Sequence, residues 1–314
     1  PAVAIGRVLY GYSSSLNQTK PMMVISIIAL LLNIPANYAL IYGRWGFPEL
    51  GAVGCGWATA LCMWFSALLW IGWILYSPTY RATHPFQFIE GIKLQTQKQL
   101  AKLAIPIGIM FLVEASAFSL VALLIARLGT TTVAAHQIAL NFASLTFMIP
   151  LAISTALTVR VGQAVGSGDM QSARAIGQNG IYLGLAIAIL SGCLIMLFRH
   201  TIAAWYTSDP AVVLLAAQLL LFAGLFQFSD ATQAVVAGVL RGYKATRIPL
   251  IIHMTAFWVI GIPLGYAMTF GIAPFTPHGP AGYWLALVIA LTFAAIALYL
   301  FFRKISKQQL GISI

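Results

Sequence analysis

Eight long apolar runs constrain this chain more than any other feature of its sequence. A helix that crosses a lipid bilayer needs about 20 predominantly apolar residues. Eight runs satisfy that length: 21–43, 52–76, 101–127, 133–165, 177–198, 211–238, 248–270 and 281–302. Only 7% of the 314 residues are charged, whereas a soluble domain carries roughly 25%. The sequence therefore predicts an all-α polytopic membrane protein, and it excludes a soluble enzyme, a nucleic-acid-binding protein and a disordered chain.

The basic residues predict how these spans are oriented. The formal net charge is +11, and the 17 Lys and Arg lie mainly between the apolar runs. Successive connecting segments must lie on alternating sides of the membrane. One side then carries only Arg44, Arg127 and Arg199, and the opposite side carries all other Lys and Arg residues. Lys and Arg collect in cytoplasmic loops. We therefore expect the C-terminus and the polar segment 77–100 to be cytoplasmic.

An internal repeat with a constant offset of 228 residues links the two ends of the chain. The matched pairs include Pro21 with Pro249, Pro35 with Pro263, Tyr38 with Tyr266, Gly43 with Gly271, Gly51 with Gly279, and Gly54 with Gly282. Both copies begin on the same predicted side, so the repeat is parallel, as in transporters built from two similar halves. At this offset, residues from about 101 to 228 have no equivalents in this sequence, so most of a first copy is not represented in it. We expect roughly 130 further residues before Pro1 and two six-helix bundles in the intact protein.

Two carboxyl groups lie deep in predicted spans. Glu114 is near the middle of 101–127, and Asp230 is deep in 211–238, with no Lys or Arg in the core of either span. A bare carboxylate at bilayer depth costs roughly 2.5–3.5 kcal/mol or more. Each group must therefore be protonated, hold a cation or face water. A proton or sodium site that also meets a cationic substrate is the functional interpretation, and a protonated carboxyl within the bundle is the structural alternative.

Other polar side chains are candidates for the lining of a cavity. Gln227 and Gln233 lie three residues before and after Asp230, on the same helix face. His136 and Gln137 follow two alanines near the start of the long run, with Asn141 one turn after Gln137. A histidine in a membrane span is either a packing residue or a proton carrier. We find no nucleotide-binding motif, metal-ligand cluster or nucleophile motif, so we expect no enzyme activity and no cofactor, and an ion gradient as the source of energy.

Several short sequence motifs together resemble those of the MATE multidrug exporters, most closely the NorM type. They are Pro106-Ile107-Gly108, Glu114-Ala115-Ser116, Val133-Ala134-Ala135-His136-Gln137, Arg160-Val161-Gly162, Phe222-Ala223-Gly224-Leu225-Phe226-Gln227, Asp230 with Gln233, and Leu240-Arg241-Gly242-Tyr243. The resemblance covers the whole chain. It implies twelve helices in two lobes, and a monomeric protein of the bacterial inner membrane. It further implies export of cationic or amphipathic drugs and dyes in exchange for Na⁺ or H⁺.

The resemblance also assigns domains and site residues. Residues 1–76 correspond to the rest of the N-terminal lobe (the end of span four with spans five and six), 77–100 to the linker, 101–303 to the C-terminal lobe and 304–314 to a cytoplasmic tail. Glu114 and Asp230 match the family's carboxylates on the seventh and tenth helices, where either Na⁺ or H⁺ binds. Some sodium-coupled members carry a tyrosine one turn before the second acid, and here that position is Phe226.

Three other functions fit the apolar composition. A lipid-linked oligosaccharide flippase of related architecture would need cationic side chains in its cavity to bind pyrophosphate, whereas this sequence offers acids. A channel would need a filter segment, and none is recognisable. An intramembrane enzyme would need more than two carboxyl groups. Cationic cargo is therefore the favoured interpretation.

Overall fold

The computed structural model describes residues 1–83 and 93–310, and within them every regular element is helical. The α-helices are α1 (Ala2–Ser15), α2 (Lys20–Tyr42), α3 (Gly51–Tyr76), α4 (Leu94–Ile125), α5 (Thr130–Gly166), α6 (Met170–Tyr206), α7 (Pro210–Gly242), α8 (Arg247–Met254), α9 (Ile262–Phe270) and α10 (Pro280–Gln309). A π-helical segment (Thr255–Gly261) joins α8 to α9, and short 3₁₀ helices cover Pro78–Thr83 and Ala126–Leu128. Eight helical segments in the described residues are long and apolar enough to cross a membrane, and one of them is the continuous run from α8 through α9 (Arg247–Phe270). These eight segments confirm the eight predicted spans.

The helices run further than the apolar runs that predicted them. Helix α6 extends over 37 residues, although its apolar run covers only 177–198. Polar residues at a helix end do not interrupt backbone hydrogen bonding, so a hydropathy argument places such boundaries too far inside. The start of α7 is capped: Asp209 accepts a hydrogen bond from the Ala211 amide at 2.9 Å, and Pro210 is the first helical residue.

The chain divides into two compact units, Pro1–Lys93 and Leu94–Ile314. Helix α4 begins at Leu94, so it starts inside the segment 77–100 that we predicted as a linker. Residues 84–92 of that segment, and residues 311–314 of the predicted tail, lie outside the described residues. The assignment of lobes, linker and tail stays a prediction.

The first unit packs α1, α2 and α3 around a small core. Leu9, Ile25, Trp70, Ile74 and Tyr80 form that core. The hydroxyl of Tyr80 donates to Ser13 Oγ at 3.0 Å, which fixes the 3₁₀ turn after α3 against α1.

The second unit is organised around α7. This helix packs against α5, α6 and α10, and it buries residues on nearly every face. Small residues allow the close approach: a Cβ atom on Gly238 would lie 2.3 Å from Ser154 Oγ on α5. Side-chain hydrogen bonds add to the packing, since Ser154 Oγ donates to the Ala234 carbonyl at 2.6 Å and Thr158 Oγ1 to the Gly238 carbonyl at 2.8 Å.

The 228-residue offset recurs in the backbone of a hairpin in each unit. Gly43 ends α2 with φ +63°, and Gly271 ends α9 with φ +74°. The Leu50 amide donates to the Leu40 carbonyl at 3.0 Å, and the His278 amide donates to the Met268 carbonyl at 2.9 Å. All these residues are related by the offset, so the sequence repeat reflects a repeated hairpin.

The same hairpins explain two of the matched glycines. A Cβ atom on Gly54 would lie 2.3 Å from the Leu40 carbonyl oxygen, and one on Gly282 would lie 2.7 Å from the Met268 carbonyl carbon. A side chain at either position would force the two helices of its hairpin apart.

A pair of variants on α3 tests this account of the hairpin. We expect Gly54→Ala to destabilise the purified protein by about 1–3 kcal/mol, the usual cost of overpacking, and to lower its melting temperature. Gly56→Ala is the matched control, since nothing lies within 4 Å of its added Cβ and alanine favours a helix by about 0.5–1 kcal/mol. Equal melting temperatures for the two variants would contradict the close contact.

Candidate functional site

The two intramembrane carboxyl groups open into one cavity of the second unit. Helix α4 supplies Glu114 and helix α7 supplies Asp230. The cavity has a volume of about 270 Å³, and its lining residues are Glu114, Phe118, Leu140, Ala143, Ser144, Phe147, Phe226 and Asp230. Four large hydrophobic side chains of α4, α5 and α7, three of them phenylalanines, surround these carboxyl groups. The structure therefore brings together two residues that the sequence singled out separately, 116 positions apart.

Asp230 is buried and hydrogen-bonded within α7. It is 4% exposed, and its Oδ1 accepts from Gln233 Nε2 at 3.1 Å. The spacing of three residues places the two side chains on one helix face, as the sequence predicted. Gln233 itself is 1% exposed and does not line the cavity. Gln233 therefore supports Asp230 by a hydrogen bond without lining the cavity.

The chain of polar contacts continues from α7 to α8. His253 Nε2 lies 2.6 Å from Gln233 Oε1, and His253 Nδ1 lies 2.8 Å from the Pro249 carbonyl oxygen. His253 is 2% exposed. The sequence analysis missed this histidine, although it lies in the predicted span 248–270 and the argument made for Glu114 applies to it equally.

A cation near the acids was also missed. Arg241, in the last turn of α7, interacts electrostatically with Glu114 and with His253. Its Nη2 donates to Ser154 Oγ at 2.8 Å. The sequence analysis considered only the core of each span, and a long arginine side chain reaches inward from a helix end. Glu114 and Asp230 also act on each other as neighbouring acids.

Aromatic rings continue from the cavity wall into the bundle. Phe118 makes edge contacts with Phe226 at 6.2 Å and with Phe257 at 5.9 Å between ring centroids. Phe226 in turn contacts Trp284 at 5.7 Å. Ring faces attract organic cations, and the attraction is greater where water is excluded. The wall therefore suits a flat or amphipathic cation.

The remaining candidates lie elsewhere in the bundle. His136 is 2% exposed and packs against Trp284, and neither of its ring nitrogens has a hydrogen-bond partner in the described structure. The Oε1 of Gln227 accepts from Thr146 at 3.4 Å. Asn141 accepts from the Tyr206 hydroxyl at 2.9 Å, and Gln137 is exposed. None of the four lines the cavity of Glu114 and Asp230, so a role for them in transport stays a prediction.

The donor set limits what the cavity could hold. In residues 1–83 and 93–310, no group of three or more His, Cys, Asp or Glu is placed to bind a metal ion. Two carboxyl groups fit a proton or a monovalent cation such as Na⁺, and their combined charge fits an organic cation. In the lining of this cavity there is no Lys or Arg that would bind a phosphate or pyrophosphate.

Comparison with known proteins agrees with the sequence resemblance. The MatE family model matches residues 106–267. The chain is 43% identical over 312 residues to the probable multidrug resistance protein NorM of Chromobacterium violaceum, covering 99% of this chain and 67% of that protein. It is 47% identical over 300 residues to the multidrug resistance protein PmpM of Pseudomonas aeruginosa, covering 95% of this chain and 62% of that protein. The chain thus spans about two thirds of the length of these relatives.

Solved structures share the fold at low sequence identity. A multidrug resistance MATE family transporter in an outward-facing conformation superposes with a TM-score of 0.87 at 20% identity, covering 98% of this chain and 66% of that one. A mutant of the Vibrio cholerae MATE transporter VcmN superposes with a TM-score of 0.86 at 16% identity, covering 98% and 67%. The family model and the close relatives establish the conclusion that the fold supports: this chain belongs to the MatE family of MATE transporters.

Proposed function

We propose that the protein exports cationic and amphipathic drugs and dyes by secondary active antiport, in exchange for H⁺ or Na⁺. The observation that carries this proposal is the shared cavity: Glu114 and Asp230 open into one space with an aromatic wall. The names of the two relatives, both multidrug resistance proteins, support it. A cavity of 270 Å³ is just below the roughly 300–1,000 Å³ of typical ligand pockets. It therefore holds a small organic cation or one end of a larger drug.

The mechanism is competition for negative charge. With both carboxyl groups ionised, the cavity attracts an organic cation. When a coupling ion neutralises Asp230, the drug loses its electrostatic partner and leaves. Two conditions couple export to ion entry: drug and ion must exclude each other at this site, and the site must face the two sides of the membrane in turn. Each ligand then shifts the conformational equilibrium by the difference between its affinities for the two states.

We propose H⁺ as the ion that competes with the drug at Asp230. A buried carboxyl with a single amide donor is well suited to bind a proton, whereas Na⁺ prefers several oxygen ligands. Phe226 stands where some sodium-coupled family members carry a tyrosine, and a phenyl ring offers no oxygen. Na⁺ is the alternative that the transport experiment decides.

The proposal extends to the setting of the protein. Residues 1–76 and 101–303 would belong to the N-terminal and C-terminal lobes of a monomeric carrier, connected through 77–100. The carrier would reside in the bacterial inner membrane. Its C-terminus would lie in the cytoplasm, because Lys304 and Lys307 follow the last span and basic residues collect on that side. A pyrophosphate-lipid flippase is disfavoured by the acidic lining of the cavity.

Transport by the carboxyl variants tests the proposal. The complete gene product is reconstituted in vesicles, and efflux of ethidium is followed under an imposed H⁺ or Na⁺ gradient. We expect Asp230→Asn and Glu114→Gln each to reduce gradient-driven efflux to the level of protein-free vesicles, because the cavity then lacks one of its charges. Glu49→Gln, at an exposed acid outside the cavity, is the matched control and should transport normally. Efflux that survives in both cavity variants would contradict the proposal.

A second pair of variants tests whether the cavity itself holds the dye. Ser144→Phe places a phenyl ring in a space of only 270 Å³, so we expect ethidium binding to weaken by about tenfold or more, the effect of about 1.4 kcal/mol. Leu145→Phe is the control on the same helix, since Leu145 is 63% exposed and does not line the cavity. Fluorescence anisotropy of the purified protein measures both affinities. Equal affinities in the two variants would show that the dye binds elsewhere.

A further inference from the structure

A buried polar chain leads away from the cavity at Asp230. It passes from the Asp230 carboxyl through the Gln233 amide to the His253 ring, and ends at the Pro249 carbonyl oxygen. The three side chains are 4%, 1% and 2% exposed, in that order. Asp230 lines the cavity, whereas His253 does not. This series of hydrogen bonds thus connects Asp230 on α7 to the titratable ring of His253 on α8.

The positions of the hydrogen atoms in this series of hydrogen bonds are limited by which of its atoms can donate and which can only accept. A carbonyl oxygen only accepts hydrogen bonds, so His253 Nδ1 must carry a proton to donate to Pro249. With Gln233 Nε2 donating to Asp230, Gln233 Oε1 faces His253 Nε2 and can only accept. His253 Nε2 must then carry a proton too. In this arrangement the imidazole is a cation, and if Asp230 and His253 share a single titrating proton, Asp230 is a carboxylate.

Rotation of the Gln233 amide gives the other consistent arrangement. The amide oxygen then accepts from a protonated Asp230, and the amide nitrogen donates to a neutral His253 Nε2. The two arrangements contain the same number of protons: one sits either on His253 Nε2 or on an Asp230 oxygen. Removal of that proton leaves an ionised Asp230 and a neutral His253, and one contact of Gln233 then joins two acceptors. A buried unsatisfied contact of this kind is unfavourable.

The groups around His253 bear on where the proton resides. Arg241 on α7 acts on its ring electrostatically, and Glu114 on α4 acts on Arg241 and on Asp230. From the π segment, Phe257 stacks on the ring at 6.3 Å between centroids. Two other basic side chains of the neighbouring elements, Lys102 on α4 and Arg247 on α8, line a separate cavity at the start of α8. Arg241 is therefore the cation, and Glu114 the anion, whose charges bear on the proton shared by Asp230 and His253.

We propose that His253 is a second proton position of the Asp230 site, linked to it by Gln233. This inference rests on the proposed function. With the proton on Asp230 the cavity is neutral, and with the proton on His253 the carboxylate is free for a cation. A cationic drug at Asp230 favours the arrangement with the proton on His253. The positive charge of that ring still opposes the drug, so full affinity requires loss of the proton, in keeping with competition between drug and H⁺. Deprotonation of the site is opposed by the mismatched contact of Gln233.

The pH dependence of ethidium binding to the complete gene product tests this linkage. In wild type, affinity rises with pH as the site loses its proton. In His253→Gln the new amide donates to Gln233 without titrating, so the deprotonated site has no mismatched contact. We expect the midpoint of the pH profile to move to lower pH by about one unit, which is about tenfold in proton affinity. His253→Phe, which keeps a ring against Phe257, should shift the midpoint in the same direction and serves if His253→Gln does not fold.

Two controls separate this linkage from other effects. His200→Gln removes an exposed histidine of α6 and should leave the midpoint unchanged. In a Gln233→Leu background, His253→Gln should no longer shift the midpoint, because the connecting amide is absent; a double-mutant cycle reports this coupling. A wild-type midpoint in His253→Gln and His253→Phe, or an undiminished shift in the Gln233→Leu background, would overturn the proposal.

The same experiment distinguishes failure of this inference from failure of the proposed function. If wild type binds ethidium with no pH dependence, or if Asp230→Asn keeps the wild-type profile, then proton competition at Asp230 is wrong and the His253 inference fails with it. If Asp230→Asn abolishes the pH dependence and the His253 variants leave the wild-type midpoint unchanged, only the His253 inference is wrong.

Discussion

The close packing of α7 with its neighbours is the constraint on which the site depends. Alanine and glycine allow α5, α6 and α10 to approach this helix on nearly every side, and Asp230 lies within that packing at 4% exposure. A carboxyl group buried in this way cannot rely on water, so its hydrogen bond from Gln233 and its access to the cavity determine its charge. The same helix, α7, therefore holds the second unit together and carries the buried carboxyl group of the candidate site.

Much of the fold could be predicted because the bilayer demands long apolar helices and because the chain repeats itself. The eight spans follow from local residue patterns, and the 228-residue offset follows from comparing the sequence with itself. Helix ends could not be located as well, since α4 starts at Leu94 and α6 continues to Tyr206 through polar residues that hydropathy assigns to loops. The π segment between α8 and α9 was also not predicted, because Pro263 indicates an irregularity without specifying its geometry.

The sequence identified the two carboxyl residues of the candidate site, but it did not identify the residues of other helices that interact with them. Glu114 and Asp230 stand out in sequence because a carboxyl group at bilayer depth needs an explanation, and the i, i+3 spacing places Gln233 beside Asp230. The contact of Gln233 with His253 joins positions 20 residues apart on different helices, and the charge of Arg241 acts on Glu114 across 127 positions of the sequence. Such contacts depend on how helices pack, which a single sequence without homologues does not specify.

The repeat shows that the fold does not require a histidine at position 253. The equivalent position in the first hairpin is Ile25, which is also 2% exposed and forms part of an apolar core, and Pro21 is the equivalent of Pro249. The first copy is a continuous α-helix through its proline, whereas the second passes through the π segment that carries Phe257. An apolar side chain thus satisfies the packing at this position in one copy. Packing at this position of the fold therefore does not need a polar ring, which agrees with the proposal that His253 acts through the proton it holds and not through its volume.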